Sequence, residues 1–172
     1  MKRFFDISVG LFLLILLVIP ILLIAITIKI TSKGSVLHWS KRVGRKNVNF
    51  MMPKFRSMRA NTPQLATHLM IDPDDYLSPI GGLLRRSSID EIPQLFNILK
   101  GEMSFVGPRP ALFNQDDLSA LRTDQGVDKL MPGLTGWAQV NGRDELPIPE
   151  KVALDVEYLE RQSFLFDMYI LW

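Results

Sequence analysis

The sequence predicts an α+β chain: an N-terminal re-entrant membrane helix broken at Pro20, then a mostly helical domain with one small β-hairpin. Three observations predict it. Residues 7–28 are 22 consecutive positions without a charge. Two short extended runs flank a Gly-Arg-Lys-Asn turn at residues 44–47. From Ile80 onward apolar residues recur with helical spacing, punctuated by proline and glycine. A length of 172 residues, 47% hydrophobic and 22% charged, leaves room for one domain and an anchor. With no cysteine and two histidines, thiol nucleophiles, disulfide frameworks and His-rich zinc centres are excluded. Catalysis, if any, runs on carboxylates, hydroxyls or lysine.

The apolar run comes first. At about 1.5 Å per residue it spans about 33 Å, enough to cross a hydrocarbon core. It is too long for a signal-peptide core and lacks a small-residue cleavage site. Pro20 deletes a backbone hydrogen bond inside it and predicts a kink. Lys2 and Arg3 precede it and Lys29 and Lys33 follow it, whereas a spanning helix concentrates its positive charge on one side. Arms of about 20 Å and 12 Å around Pro20 are each shorter than a bilayer. Residues 1–32 therefore read as a helix that enters and leaves one leaflet, and residues 33–172 as a domain at that face. A tilted, kinked spanning helix is the alternative.

Charge supports an interfacial position. Residues 7–71 carry nine Lys or Arg and no acid, a net +9, whereas residues 72–172 carry nine bases and seventeen acids, a net −8. Each base near an anionic leaflet adds about 1 kcal/mol of attraction, which makes anionic lipid an expected partner. No nucleic acid is expected.

The remaining elements follow in order. Residues 36–43 and 48–55 form the hairpin around the turn at residues 44–47. Lys54 and Arg56 alternate with apolar residues in Lys-Phe-Arg-Ser-Met, which suits a phosphate site and a solvated face equally. Residues 60–79 are a polar connector with three prolines. Residues 90–100 read as a helix with Ile92, Leu95, Phe96 and Leu99 on one face, Lys100 in the last turn and Gly101 as its stop. Pro93 sets its start, because proline fits only the first turn, so Asp90 is the expected N-cap. Pro108 and Pro110 stiffen the backbone around Arg109. Residues 132–143 are glycine-rich and end in an Asn-Gly turn. A last helix from near Pro149 buries Val152, Val156 and Leu159. The apolar end at residues 168–172 reads either as the cut end of a longer chain or as part of a further membrane-contacting element.

Asp90 and Glu91 are the candidate chemistry. Adjacent helical side chains project about 100° apart, so they cannot share one atom but can divide labour, one attacking while the other holds a metal. A helix N-terminus favours their ionised forms, which suits a nucleophile and a hard-cation ligand. Alone, such a pair is ordinarily a cap. Arg85 and Arg86 before it and Arg109 after it change the setting, because guanidinium forks match phosphate oxygens. Surface ion pairing is the plain alternative for each arginine. Phosphoryl transfer needs positioning, charge neutralisation and an in-line nucleophile, and the sequence supplies candidates for each. No P-loop, GxGxxG or GxSxG pattern is present.

Six collinear segments stand out: Lys-Arg-Phe-Phe-Asp at residues 2–6 with the apolar run, Arg-Val-Gly-Arg at 42–45, and Lys-Phe-Arg-Ser-Met at 54–58. They continue with Leu-Arg-Arg-Ser-Ser-Ile-Asp-Glu-Ile-Pro-Gln-Leu-Phe-Asn at 84–97, Lys-Gly-Glu-Met-Ser-Phe-Val-Gly-Pro-Arg-Pro at 100–110, and Pro-Gly-Leu-Thr-Gly-Trp at 132–137. In these the chain resembles the bacterial sugar transferase family, the monotopic polyprenyl-phosphate phosphoglycosyl transferases, in its minimal single-domain form. The resemblance implies transfer of a sugar 1-phosphate from a UDP-sugar to undecaprenyl phosphate with release of UMP; the sugar stays open among an N-acetylated amino sugar, a diacetamido sugar, galactose and glucose, with an N-acetylated hexosamine favoured. Such transfer is the first membrane step of glycan assembly at the cytoplasmic face of the bacterial inner membrane. It implies Asp90 as nucleophile, forming a covalent phosphosugar, and Glu91 as ligand of Mg²⁺. It further implies Arg85, Arg109 and Lys54 as phosphate-binding, and Gln139 and Arg143 as nucleotide or sugar contacts. Two departures stand out: Ile19-Pro20 where the family often has Ser-Pro, and a family continuation past Trp172. Homo-oligomerisation is compatible with this reading.

Two rivals remain at this point. A membrane-anchored basic adaptor without catalysis predicts no UMP release. A metal-dependent phosphodiesterase predicts free sugar phosphate without an acceptor lipid.

Overall fold

The computed structural model describes residues 1–59, 62, 73–142 and 146–172. The connector expected at residues 60–79 lies largely outside them, as does Arg143.

The apolar run forms two helices, α1 (Lys2–Leu16) and α2 (Val18–Thr31), bent by 60°. The break is at Leu17, not at Pro20. A proline ring in a continuous helix would collide with the carbonyl four residues back and offer no N–H, and a break ahead of Pro20 accommodates both. Pro20 then occupies the first turn of α2, where no intrahelical donor is required. Backbone bonds of 2.8 Å from Leu17 N to Leu13 O and from Ile21 N to Leu17 O carry the chain through the bend. No single helix among the described residues is long and apolar enough to cross a membrane, although the bent pair together is. Phe4, Phe12, Ile15, Ile19 and Leu23 are exposed on it. A contiguous apolar surface of this kind marks contact with lipid or a partner.

The inner side of the pair belongs to the core. Phe5, Val9 and Leu13 pack against a cluster containing Phe50, Met52, Ile98, Met103, Phe105, Tyr158 and Phe166. Ile28 of α2 is buried with Phe55 and Leu84. The polar residues ahead of the apolar run fasten it down. Asp6, buried, accepts from Ser104 Oγ and Phe105 N, each at 3.1 Å. Arg3 donates to the carbonyls of Ile98 and Leu99 at 2.5 and 2.7 Å.

The hairpin has the predicted form. Strands β1 (Leu37–Val43) and β2 (Asn49–Phe55) pair antiparallel, with His38 opposite Lys54. Lys46 and Asn47 take positive φ of 55° and 58° in the turn. The helices that follow are α3 (Gly81–Arg86), α4 (Leu95–Lys100), α5 (Asp116–Asp124), α6 (Trp137–Val140), α7 (Ile148–Arg161) and α8 (Phe164–Leu171).

A second sheet was not predicted. Strand β3 (Ser104–Val106) runs parallel to β4 (Gly133–Thr135), in segments that read as a stiff stretch and a glycine-rich loop. Three residues are too few to show an alternation. Glycine is required here because the backbones touch. A Cβ on Gly133 would lie 2.1 Å from Gly107 N, and one on Gly136 would lie 2.1 Å from Gly107 O.

The helix predicted over residues 90–100 is divided. Ile89–Gln94 is a 3₁₀ helix preceded by Ser88, and α4 begins only at Leu95. Pro93 cannot donate to Ile89 O, so a regular α-helical ladder starts beyond it. The tighter winding also rotates the apolar face. Leu95 and Ile98 are buried, whereas Phe96, expected inside, is 59% exposed. On α7, Val152 is buried as expected, together with Asp155 and Tyr158. The apolar C-terminal stretch is α8, started by Ser163 Oγ accepting from Phe166 N at 3.2 Å.

Candidate active site

Ser88 is the pivot of the site. Its φ of +55° lets the chain reverse between α3 and the 3₁₀ turn, with Ser88 N donating to Arg85 O and Glu91 N to Ser88 O, each at 3.1 Å. Arg85, in the last turn of α3, is thereby brought close enough for its charge to act on Asp90. Strand β2 packs beside the same turn and carries Lys54, whose Nζ donates to Glu91 Oε1 at 2.6 Å. Arg109 Nη2 reaches the same oxygen at 3.4 Å from the segment after β3. Lys54, Glu91 and Arg109 are all partly shielded from solvent, at 18%, 17% and 35% side-chain exposure.

The two carboxylates diverge. Asp90 is 6% exposed, and burial, reinforced by the neighbouring Glu91 charge, holds its carboxyl above the ordinary value against the pull of Lys54 and Arg85. Burial also pushes Glu91 up, but the charges and hydrogen bonds of Lys54 and Arg109 outweigh it and hold Glu91 below the ordinary value. The sequence reading had both acids ionised by a helix dipole. A short 3₁₀ turn supplies little dipole, and desolvation dominates at Asp90. Adjacent acids driven in opposite directions are a common basis for a division of roles at an active site.

The segment that presents Arg109 is held by its backbone. Pro108 O accepts from Gly133 N at 2.9 Å, Pro110 O from Arg42 Nη1 at 3.2 Å, and Ala111 O from Val43 N at 2.9 Å. Arg122 Nη1 donates to Arg109 O at 2.8 Å. Arg42 and Arg122 were not among the sequence candidates. Nothing in their spacing ties them to residues 108–110.

Of the predicted site residues, Arg85, Asp90, Glu91, Lys54 and Arg109 come together. Gln139 does not join them: its Nε2 donates to Leu134 O at 3.3 Å within the β4–α6 corner. No hydrogen bond or ion pair among the described residues links it to Asp90 or Glu91. Pro20 lies in the first turn of α2. Among the described residues no group of three His, Asp or Glu side chains is placed to hold a metal ion. That donor set still suits Mg²⁺ in its sparse mode, in which one or two carboxylates and substrate phosphates bind a largely hydrated ion. Lys54 and Arg109 both engage Glu91 Oε1.

Fold and cluster together define a class: a bent apolar helix pair docked on a small mixed domain, which gathers lysine and arginine around two carboxylates of opposed protonation preference. The chain belongs to the bacterial sugar transferase family, whose model matches residues 1–172. It is 40% identical over 182 residues to an undecaprenyl-phosphate glucose phosphotransferase of Komagataeibacter xylinus, covering 99% of this chain and 34% of that one. It is 37% identical over 174 residues to the uncharacterized sugar transferase EpsL of Bacillus subtilis, covering 99% and 83%. It is 36% identical over 180 residues to the UDP-glucose:undecaprenyl-phosphate glucose-1-phosphate transferase of Escherichia coli, covering 100% and 39%. The chain thus spans most of EpsL and little more than a third of the other two.

Proposed function

We propose that this protein transfers a sugar 1-phosphate from a UDP-sugar to undecaprenyl phosphate, in two displacements at Asp90. The Asp90 carboxylate attacks the β-phosphorus, and the bond to the bridging oxygen breaks so that UMP leaves with the electron pair. An oxygen of the lipid phosphate then attacks the same phosphorus and returns the carboxylate. Lys54, Arg85 and Arg109 neutralise phosphate oxygens in both displacements. Mg²⁺ at Glu91 supplies further charge neutralisation at the diphosphate when bound. The observation that carries this reading is the opposition of Asp90 and Glu91 beneath Lys54 and Arg109.

The setting follows from the acceptor, whose phosphate is tethered at headgroup height. Residues 1–32 lie in the cytoplasmic leaflet of the bacterial inner membrane as a re-entrant pair, and residues 33–172 form the catalytic domain on its cytoplasmic face. The exposed apolar side chains of α1 and α2 and the basic belt after them support this placement. Glycan assembly is the pathway that consumes such a lipid-linked sugar. The names of two relatives speak of glucose, and that of a third, from Salmonella typhimurium, of galactose. UDP-glucose and UDP-galactose therefore head the donor panel, beside the N-acetylated hexosamine donors expected from the sequence.

The test is UMP release across that panel, with and without undecaprenyl phosphate. Acceptor-dependent release from one donor is expected. No release from any donor would favour the adaptor, and acceptor-independent free sugar phosphate would favour the phosphodiesterase. Glu91→Gln is expected to abolish the response of turnover to added Mg²⁺; an unchanged response would remove Glu91 as its ligand.

A further inference from the structure

Arg109 sits between two prolines, and its reach to Glu91 depends on how its own peptide is turned. Proline fixes φ at residues 108 and 110, and a residue before proline is confined to extended conformations. The remaining freedom is rotation at Arg109 itself, which swings its carbonyl. The carbonyls on either side are held by Gly133 N and Arg42 Nη1, and behind the segment lies a cleft of about 30 Å³, lined by Arg109, Ser119, Arg122 and Asp128 among others.

One side chain takes that carbonyl. Arg122, on α5 and 8% exposed, donates Nη1 to Arg109 O at 2.8 Å. Its Nε and Nη2 both donate to Asp155 Oδ2 on α7, at 2.9 and 2.7 Å. Asp155 is 1% exposed. As a stabilising device a buried ion pair is poor, since well-packed apolar residues of the same volume do as well or better. What apolar residues cannot provide is a donor fixed in direction by a fork on its other side.

We propose that Arg122, oriented by Asp155, is a positioning residue that fixes the Arg109 peptide and so aims the Arg109 guanidinium across Glu91 at a substrate phosphate. The pair does not touch substrate. The aiming of Arg109 at phosphate rests on the transferase reading given above, whereas the fixing of its peptide does not.

The test uses the full chain in lipid vesicles containing undecaprenyl phosphate. The pair exchange Arg122→Met with Asp155→Leu restores an apolar fit and is expected to melt near the wild-type temperature. UMP release should nevertheless fall about 10- to 100-fold, the scale of an ångström-level misplacement. In an Arg109→Ala background the same exchange should cost no more than about twofold, because nothing remains to aim. A folded pair exchange with wild-type release, or losses that multiply with Arg109→Ala, would overturn the proposal. Should the pair exchange not fold, Arg122→Lys keeps the charge opposite Asp155 without the fork and carries the same cycle. Amide hydrogen exchange at Gly107, Gly133 and Val43 needs no substrate and should speed about tenfold in either variant, the scale of one lost hydrogen bond. Wild-type exchange rates there would sink the proposal whatever the donor. A wild-type protein that releases no UMP from any donor, but whose variants show the faster exchange, would sink only the transferase reading and the aim at phosphate.

Discussion

Two lysine–carboxylate pairs, Lys2 with Asp167 at 2.5 Å and Lys54 with Glu91 at 2.6 Å, do different things with the same chemistry. The first is closed. Lys2 also donates to Val106 O at 2.9 Å, and Tyr158 donates to Asp167 Oδ1 at 2.6 Å. Burial, with Asp167 beside it, pushes the Tyr158 phenol up, so it keeps its proton and remains a donor. The second is open. Lys54 and Arg109 converge on one oxygen of Glu91, and next to it Asp90 is buried, its carboxyl held above the ordinary value by desolvation. A network whose members satisfy one another rigidifies a fold, whereas one that sets a desolvated acid beside converging cations keeps electrostatic work for a ligand.

Asp90→Asn breaks the comparison hardest. Turnover should fall by about 10³-fold or more, the scale of losing a nucleophile, and no phosphosugar adduct should be trapped. The fold should gain. Because the folded-state pKa of Asp90 is raised, its stabilising protonated form is fully present below the unfolded value of about 3.9 and lost as pH rises through the folded value. At pH 7 the carboxylate therefore opposes folding, and Asn removes that opposition. Thermal melting at pH 7 checks it, and a lower midpoint for the variant would show that the fold stabilises the charge.

Lys2→Met is the converse. Removing one partner of a largely buried pair costs about 3 kcal/mol, and less where, as here, the lysine keeps some solvent. About 2 kcal/mol of stability should be lost, with turnover per folded molecule within twofold of wild type. A loss of turnover without a loss of stability would place the closed network in the chemistry.

The pH profile sharpens the contrast further. If Asp90 attacks as its anion, kcat/KM should rise with pH through its raised pKa and level off above it. Glu91→Gln removes a like charge and releases Lys54 and Arg109, so the residual activity of that variant should show its acid limb at lower pH. A limb that stays in place would mean that Asp90 is not the titrating group.

Much of this was legible beforehand, for physical reasons that also explain the rest. The hairpin and the bent apolar helix pair are long enough to show a period or a run, and Gly101 marks the end of its helix, whereas the 3₁₀ turn that carries the dyad was read as the start of one longer helix. Arg85 and Arg109 could be nominated because they precede the acids closely or lie between prolines, and Lys54 because it alternates with apolar residues in a segment that matches the family. Strands β3 and β4 could not be read, since three-residue parallel strands are defined by a partner about thirty positions away. The same holds for Arg122 and Asp155, 33 residues apart on different helices. The raised pKa of Asp90 was out of reach because desolvation is a property of packing. Gln139 was nominated from the family resemblance, and the corner after β4 turns its amide toward Leu134 O.

Pro20→Ala has the smallest expected effect and asks which region sets the bend. If proline alone breaks the helix, restoring the N–H lets residue 20 donate to Leu16 O and the two arms straighten. The arms are, however, separately docked. Lys2, Arg3 and Asp6 fasten α1 to β3, α4 and α8, while Ile28 is buried with Phe55 and Leu84. Straightening would have to undo one of these attachments, and one recovered hydrogen bond of about 1 kcal/mol does not outweigh a buried charge network or a buried isoleucine. The bend should therefore persist in Pro20→Ala, with spin-label distances between residues 8 and 26 unchanged and a melting midpoint within about 3 °C of wild type. A lengthened distance would transfer control of the bend from the closed network on the domain to the proline in the apolar run.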